Sequence, residues 1–250
     1  MKRMNKWLLR LNSLRNRSLQ GVRQRTGWDP VTRLRIKSVA LVNLGSADCS
    51  WPVPEEWNVQ RPVCLCVGAG EDISFDLQLA RLHSARVFIF DPTPRAIEHV
   101  EPQIRSEDSI VFRPWAIWRE DGTVEMYEPA DSSHVSHSIV NLQSTSKALS
   151  VPARSIPSVL REFGLDRVDL LKLDIEGAEY EVLLDCVVQD LDIGIINVEF
   201  DELSIPHRGG WRRIRMSARG LANRGYTLCS VDKGTNYCFL GNRHLANFSK

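Results

Sequence analysis

Short apolar runs alternate with segments of helical periodicity in the part of the chain that begins near Pro62. The runs read VCLCV, VFIF, IVFRPWAI, VDLLKLD and IGIINVEF. This alternation predicts an α/β fold with βαβ units, in which a mostly parallel sheet has helices on both faces. Two later runs, YTLCSV and NYCFL, are separated by the polar stretch DKGT. They predict a hairpin that closes the sheet with an antiparallel strand at its C-terminal edge.

The N-terminal part of the chain follows a different pattern. Residues 1–25 are polar and predict a helix, whereas residues 45–62, rich in Pro and Trp, predict irregular structure. Residues 129–150, rich in Ser, His and Asn, predict a long loop over one sheet edge. We therefore divide the chain into a basic N-terminal extension with an irregular lead-in, 1–61, and one domain, 62–250.

Composition limits the class of protein. The chain has 250 residues, of which 43% are hydrophobic and 25% charged, as expected for one globular domain. It lacks the roughly 18 consecutive apolar residues of a membrane span, and the run WLLRL is too short for a secretory signal. The six cysteines form no CxxC pair and no zinc-site spacing. We expect reduced thiols, buried Cys64 and Cys66, and a cytoplasmic protein.

The charge is unevenly distributed. The formal net charge is only +1, yet residues 1–40 contain eleven Lys or Arg and a single acid, Asp29. Such a basic arm could contact an acidic partner or an anionic membrane surface. The simpler interpretation is a solvated, partly helical lead-in. No basic patch with interleaved aromatic residues recurs later, so we do not expect a nucleic-acid partner.

A glycine turn and an acidic strand end predict a ligand site. Gly68, Ala69, Gly70 and Glu71 follow the first run, where open α/β sheets bind ligands and where glycine lets a ligand approach the backbone. Asp91 follows VFIF, 21 residues after Gly70, and a carboxylate there can accept both hydroxyls of a ribose. Each feature also fits an ordinary turn. Together they favour an adenosine-containing ligand.

The neighbouring residues discriminate between cofactors. The dinucleotide fingerprint GxGxxG requires a third glycine, but the chain has Ile73 at that position. Glu71 and Asp72 would also repel a pyrophosphate at the helix N-terminus. S-adenosylmethionine has no phosphate and carries a sulfonium and an ammonium, so it tolerates these acids.

A second polar cluster occurs in VDLLKLDIEGAEYEVL, residues 168–183. The two-residue period of a strand places Lys172 and Asp174 on one face and Glu176 on the same side at the strand end. A buried unpaired charge is costly, so Lys172 and Asp174 need each other or a ligand. Glu179 and Glu181 have a simpler explanation, since the dipole of a helix favours acids in its first turn.

This stretch resembles the KxDxEGxE signature of FkbM-type methyltransferases. Five residues fall on the motif: Lys172, Asp174, Glu176, Gly177 and Glu179. The preceding SIPSVLREFG resembles the lead-in helix of that family, and the likeness extends over about residues 62–241. It includes Glu199 at the end of a late strand and Asn236 before the closing strand. The glycine motif departs from the family's D-x-G-A-N, because Cys66 replaces the aspartate and Gly70-Glu71 follows the alanine.

The resemblance implies a Rossmann-like methyltransferase fold and S-adenosylmethionine as cofactor. It also implies O-methylation of a hydroxyl on a saccharide or other natural-product-like small molecule. The predicted cofactor-binding residues are Gly68, Ala69, Gly70, Glu71, Asp91, Trp115, Ala116 and Asp174. The predicted catalytic residues are Lys172, Asp174, Glu176 and Glu199. Fold analogy places adenine near Trp115 and Ala116, no metal ligand is assigned, and the loop residues His134 and His137 are left outside the site.

Two alternatives remain open. One is a catalytically inactive protein that keeps the fold and the cofactor, as the altered glycine motif would permit. The other is a nicotinamide-dependent oxidoreductase, which would bind NAD and not S-adenosylmethionine.

Overall fold

The computed structural model describes residues 2–129, 137–141, 144–203 and 209–242. Helices in these ranges are α1 (Lys2–Thr26), α2 (Ser74–His83), α3 (Pro94–Ile104), α4 (Ile156–Phe163), α5 (Glu179–Val188) and α6 (Gly210–Asn223), with a 3-10 helix at Asp201–Leu203. The strands are β1 (Trp28–Asp29), β2 (Leu34–Arg35), β3 (Leu41–Gly45), β4 (Ser50–Pro54), β5 (Val63–Val67), β6 (Arg86–Phe90), β7 (Ile110–Arg113), β8 (Ala116–Ile117), β9 (Gly122–Tyr127), β10 (Ala148–Arg154), β11 (Val168–Leu173), β12 (Ile193–Glu199), β13 (Tyr226–Asp232) and β14 (Asn236–Gly241).

A seven-stranded sheet forms the centre of the fold. Its order is β13-β14-β12-β11-β5-β6-β7, and the neighbours from β12 to β7 are parallel. β14 pairs antiparallel with both β12 and β13, so the predicted C-terminal hairpin closes this end and β13 occupies the edge. The predicted Rossmann-like α/β fold with a mostly parallel sheet is confirmed.

Strand β5 shows why both faces of this sheet are covered. Val63, Leu65 and Val67 belong to a core cluster that includes residues of α4, α5 and α6. Cys64 and Cys66 point to the opposite face and belong to a second cluster with residues of α2 and α3. A continuous apolar run is therefore what a strand buried on both faces requires. The prediction that these two thiols lie in the core is confirmed, and all six cysteines are free.

Helix α4 confirms the predicted lead-in helix, and its ends follow known capping rules. The Ser155 hydroxyl accepts a hydrogen bond from the Ser158 amide at 3.3 Å, and Pro157 occupies the first turn. Gly164 ends the helix in the left-handed conformation. Helix α5 begins at Glu179, so Glu179 and Glu181 lie in its first turn, as predicted.

The irregular structure predicted for residues 45–62 is wrong for residues 50–54, which form strand β4 of an antiparallel hairpin with β3. Trp51 and Val53 of this hairpin are buried in the second core cluster. The side-chain amide of Asn197, on β12, donates to the Pro52 carbonyl at 2.8 Å. The hairpin thus packs on the central sheet, although the proposed domain boundary at residue 62 itself stays a prediction.

The run IVFRPWAI does not form one strand. β7 joins the central sheet, whereas β8 pairs with β10 in a separate three-stranded sheet of order β8-β10-β9. Pro114, which has no N–H to donate to a sheet, lies between them, and the Trp115 amide turns back to the Arg113 carbonyl at 2.8 Å. The loop predicted for residues 129–150 gives way to β10 at Ala148, and parts of it lie outside the described residues.

The basic N-terminal segment is helical, as predicted. The predicted solvated lead-in holds for exposed residues such as Leu14 and Val22, but it is wrong for the face of the helix that contains Arg15, Leu19 and Arg23. Arg23 is buried, and its guanidinium is 2.7 Å from Asp29 and 3.0 Å from the Tyr237 hydroxyl on β14. Leu19 packs against the first core cluster, and Arg15 donates to the Leu203 carbonyl. Helix α1 therefore packs against β14 and the 3-10 helix of the domain.

We expect Arg23→Met to lower the free energy of unfolding by about 3 kcal/mol, because it leaves Asp29 charged and buried without its partner. Urea denaturation measures this change. Arg25→Met is the control, since Arg25 lies exposed on the same helix. Equal stability of the two variants would show that the docking of α1 contributes little.

Candidate active site

A cavity of about 410 Å³ opens at the carboxyl ends of β5, β6 and β11. The strand order reverses between β5 and β11, which is where open α/β sheets bind ligands. Ten of the eleven predicted site residues line it: Gly68, Ala69, Gly70, Glu71, Asp91, Trp115, Ala116, Lys172, Asp174 and Glu176. Glu199 is not among the lining residues. The structure thus brings the two sequence motifs to one site.

The glycine turn requires glycine at position 68. Gly68 has φ +85°, and a Cβ atom there would lie 1.8 Å from the Asp174 carbonyl oxygen. Its amide donates to the Phe90 carbonyl at 2.9 Å. This close approach of two backbones sets the floor of the cavity, and any side chain at position 68 would push the turn away from β11.

Asp91 holds the same turn from the end of β6. Its Oδ2 atom accepts hydrogen bonds from the Ala69 and Gly70 amides at 2.9 and 3.0 Å. Its Oδ1 atom accepts from the amide and hydroxyl of Thr93 at 2.9 and 2.7 Å. All four acceptor positions of the carboxylate have donors, so a ribose hydroxyl would have to share or displace one of them. Asp91 therefore shapes the turn, and its contact with a ribose stays a prediction.

Asp72 occupies the N-terminus of α2. Its Oδ1 atom accepts from the Ser74 amide at 2.9 Å, and its Oδ2 atom accepts from the Ser46 hydroxyl at 2.6 Å. Burial opposes ionisation of this carboxyl, but the hydrogen bonds from Ser46 and Ser74 outweigh it and lower the pKa of Asp72. A negative charge thus stands where a dinucleotide would place its pyrophosphate.

The wall opposite the glycine turn is aromatic and apolar. The Trp115 ring lies nearly parallel to that of Phe90, with centroids 6.1 Å apart, and it also contacts Phe163. Ala116 and Met126, from the separate three-stranded sheet, complete this wall. The sequence predicted Trp115 and Ala116 but not Met126, although the alternation of Thr123, Val124, Glu125 and Met126 after an Asp-Gly turn was a signal for its strand. At the rim, Glu71 is paired with Arg95 at 3.1 Å.

Lys172 lies beneath the cavity. Its side chain is 2% exposed, and Nζ donates to the Gly68 carbonyl, lies 3.5 Å from Asp174 Oδ2 and stands 5.4 Å from the Trp51 ring centroid. Burial opposes protonation, but the charge of Asp174, followed by that of Cys49 and Asp76, outweighs it and raises the pKa of Lys172. The geometry gives this cation a positioning role, because it joins the glycine turn to the end of β11.

The loop after β11 is held in an unusual conformation. Glu176 has φ +56°, and its carbonyl accepts a hydrogen bond from the Ser138 hydroxyl at 2.6 Å. The buried Glu179 carboxyl accepts from the Ile175 and Gly177 amides at 2.9 and 3.1 Å. Burial raises the pKa of Glu179 to about 8. Glu179 therefore supports the loop that presents Asp174 and Glu176 to the cavity.

Glu199 and Asp201 follow the adjacent strand, β12. Glu199 accepts from the Thr235 hydroxyl at 2.9 Å, and burial, followed by the charge of Asp174, raises its pKa to about 7. Burial, followed by the charges of Glu179 and Glu176, also raises the pKa of Asp201. The sequence motif did not include Asp201, and an aspartate just after a strand is too common to have marked it.

Two further groups of lining residues complete the site. Asp48 and Cys49, from the turn between β3 and β4, line the cavity on the side of the hairpin. The turn-forming sequence GSAD was the signal for this hairpin. His137 also lines the cavity, although the sequence analysis left it out, and His134 lies outside the described residues. Within the described ranges, no helix is long and apolar enough to cross a membrane.

Comparisons with known proteins agree with this architecture. The sequence profile described as "Methyltransferase FkbM domain" matches residues 52–227. No curated protein matches the chain significantly. Residues 52–61 of the match belong to the segment that we placed in the lead-in, and they include most of β4.

Among solved structures, the chain is similar to the fibrillarin pre-rRNA processing protein of Methanococcus jannaschii, with 8% identity and a TM-score of 0.43 over 73% of this chain and 68% of that one. The METTL16 MTase domain gives 10% identity and a TM-score of 0.43 over 72% of this chain and 60% of that one. Precorrin-6y C5,15-methyltransferase of Geobacter metallireducens gives 14% identity and a TM-score of 0.41 over 74% of this chain and 81% of that one.

Proposed function

Because the chain belongs to the family of FkbM methyltransferase domains, we propose that it transfers a methyl group from S-adenosylmethionine to a hydroxyl oxygen of a small molecule. The observation that carries the choice of cofactor is the charge of the cavity. Six acids line it, against one lysine: Asp48, Glu71, Asp72, Asp91, Asp174 and Glu176. A cavity of this charge attracts a cationic ligand and repels a pyrophosphate.

The residues present fit this cofactor. The turn at residues 68–70 leaves backbone within reach of a ligand, and Trp115 offers an apolar wall to the adenine. We assign Asp91 and Glu71 to the ribose hydroxyls, which would share the Asp91 oxygens with the amides of the turn. Asp48 and Asp174 offer negative charge to the ammonium and sulfonium groups. When bound, the cofactor supplies an activated methyl group on sulfur.

The acidic end of the cavity suits a hydroxyl acceptor. Asp174 and Glu176 reach the cavity, and we assign them to hold the acceptor hydroxyl by hydrogen bonds. Leu173 and Val198 are paired across β11 and β12, so Asp174 and Glu199 follow neighbouring positions at the same sheet edge. Because Glu199 does not line the cavity, we assign Asp174 to accept the hydroxyl proton and Glu199, its neighbour across the two strands, to receive that proton from Asp174. Holding the acceptor in this way lowers the activation barrier by aligning the hydroxyl oxygen with the methyl group, and removal of the proton lowers it further.

We propose a saccharide or another polar natural-product-like hydroxyl compound as the acceptor, by resemblance to the family. The six free cysteines agree with a reducing compartment, so we also propose a cytoplasmic location. A nicotinamide-dependent activity finds no support, because Asp72 occupies the helix N-terminus that a pyrophosphate would need. An inactive cofactor-binding protein is the second candidate, favoured by Cys66 in place of the aspartate in the family's glycine motif.

Calorimetric titration of the purified chain tests the proposal. We expect S-adenosylmethionine or its demethylated product to bind in the micromolar range, that is, with about −8 kcal/mol. NAD serves as the matched control and should not bind. Binding of NAD alone, or of neither ligand, would overturn the proposal. Cofactor binding without methyl transfer across a broad panel of hydroxyl acceptors would favour the inactive alternative.

A further inference from the structure

We propose that Asp174, Glu176 and Asp201 form a binding site for a divalent cation of the Mg²⁺ or Mn²⁺ type. The three side chains each offer a carboxylate oxygen, and these oxygens lie within 4.8 Å of one another. No metal ligand was predicted from the sequence, because Asp201 lies outside the motif that contains the other two carboxylates. The position of the cation beside an acceptor rests on the proposed function, whereas the site itself does not.

The spacing of the carboxylates matches an octahedral cation. Ligand oxygens about 2.1 Å from such an ion are about 3 Å apart when adjacent and about 4.2 Å apart when opposite. Oxygens within 4.8 Å of one another can reach these positions through small side-chain rotations. All three donors are oxygens, which selects Mg²⁺, Mn²⁺ or Ca²⁺ over metals that prefer nitrogen or sulfur.

The second observation is an unpartnered oxygen on Asp201. The residue is 8% exposed, and its Oδ2 atom has no hydrogen-bond donor among the described residues. Other buried acids have donors: Asp91 accepts four hydrogen bonds, and Glu179 accepts two from backbone amides. A buried carboxylate oxygen without a donor is costly, and a cation would remove that cost.

Asp76 is the instructive comparison. It also has a buried oxygen without a donor, but it hydrogen-bonds with Cys66 and belongs to no group of potential metal ligands among the described residues. Asp201 differs because two further carboxylates face the same point. Within the described ranges, converging carboxylates and an unsatisfied oxygen occur together at the ends of β11 and β12.

The fold places this site beside the cavity. Asp174 and Glu176 follow β11 and line the cavity, while Asp201 begins the 3-10 helix after β12. Three carboxylates bound through one oxygen each leave about three of six positions open. We infer that water or an acceptor oxygen fills these positions on the cavity side, so the cation would orient an acceptor with oxygen donors.

Titration of the full chain with Mn²⁺, without cofactor, tests the site directly. Electron paramagnetic resonance of free Mn²⁺ should reveal one bound ion per chain. Asp201→Asn should weaken Mn²⁺ binding at least tenfold, because asparagine has the same size as aspartate but lacks its negative charge. Asp190→Asn is the matched control, since Asp190 is an exposed aspartate paired with Arg224 and should leave Mn²⁺ affinity unchanged.

Melting temperatures in EDTA and in excess Mg²⁺ provide the second readout. The wild type should have a higher melting temperature in Mg²⁺ than in EDTA, and Asp201→Asn should show no such difference. In EDTA the variant should melt at least as high as the wild type, because the substitution reduces repulsion among the three acids. If that variant does not fold, Glu176→Gln takes its place. Absence of Mn²⁺ binding, or equal binding by the variant, would overturn this inference. S-adenosylmethionine affinity measured in EDTA separates the two proposals, because it tests the cofactor site alone.

Discussion

Gly68→Ala is expected to lower the affinity for S-adenosylmethionine by at least ~1,000-fold, or about 4 kcal/mol. The added Cβ would lie 1.8 Å from the Asp174 carbonyl oxygen, where real Cβ contacts are essentially never shorter than 3.0 Å. The turn must therefore move away from β11, which breaks its bond to Lys172 and displaces the Ala69 and Gly70 amides from Asp91. Calorimetry measures the affinity, and circular dichroism confirms folding.

The matched control is Gly225→Ala. Gly225 has the same φ, +85°, so alanine is equally strained there, but its nearest neighbour would be an Asn242 side chain at 3.8 Å. Both variants share the backbone cost of a left-handed alanine, and only Gly68→Ala adds the collision. Similar cofactor affinity in the two variants would mean that the glycine turn does not contact the ligand.

Asp174→Asn should reduce the rate of a single turnover by ~1,000-fold or more once an acceptor is known. Asparagine has the same size but lacks the charge that faces both Lys172 and the cavity. It therefore weakens the hold on the acceptor hydroxyl and removes the carboxylate that accepts its proton. Such losses fall within the 100- to 10,000-fold range of acid–base catalysis. Single-turnover assays at saturating cofactor isolate the chemical step.

Glu181→Gln is the control for this variant. Glu181 lies near the start of α5, close to the same motif, but it pairs with Arg119 and does not line the cavity. Its replacement should leave the rate within a few fold of the wild type. Full activity of Asp174→Asn would remove this carboxylate from the reaction, and Glu199 would become the next residue to replace.

The central sheet was predictable because its information is local. The mostly apolar runs of β5, β11 and β12 reflect strands buried on both faces, and helical segments lie between the parallel strands along the chain. The glycine turn and the motif after β11 also lie at the ends of strands. Because parallel strands align their carboxyl ends at one sheet edge, two distant motifs could be assigned to one cavity before any contact was known.

The features that the sequence did not reveal depend on distant contacts. The hairpin β3–β4 has a local turn signal, GSAD, but its docking on the central sheet depends on Asn197, 145 residues from Pro52. Asp201 was missed because an aspartate after a strand is common, and only the structure shows that Asp174 and Glu176 converge on it. Burial of the basic arm was missed for the same reason. Its many charges predicted a solvent-exposed helix, whereas Arg23 is paired with Asp29 and with Tyr237 of β14.

The contact between Arg23 and Tyr237 spans 214 residues and bears on how the protein is made. A ribosome that adds 5–20 residues per second needs roughly 10–40 s to synthesise the intervening chain. During that time helix α1 is outside the ribosome without the strand on which it docks, and β12 lacks its neighbour β14. The order of synthesis thus leaves the central sheet without β14 until residues 236–241 have left the ribosome, and during this interval β12 has an unpaired edge.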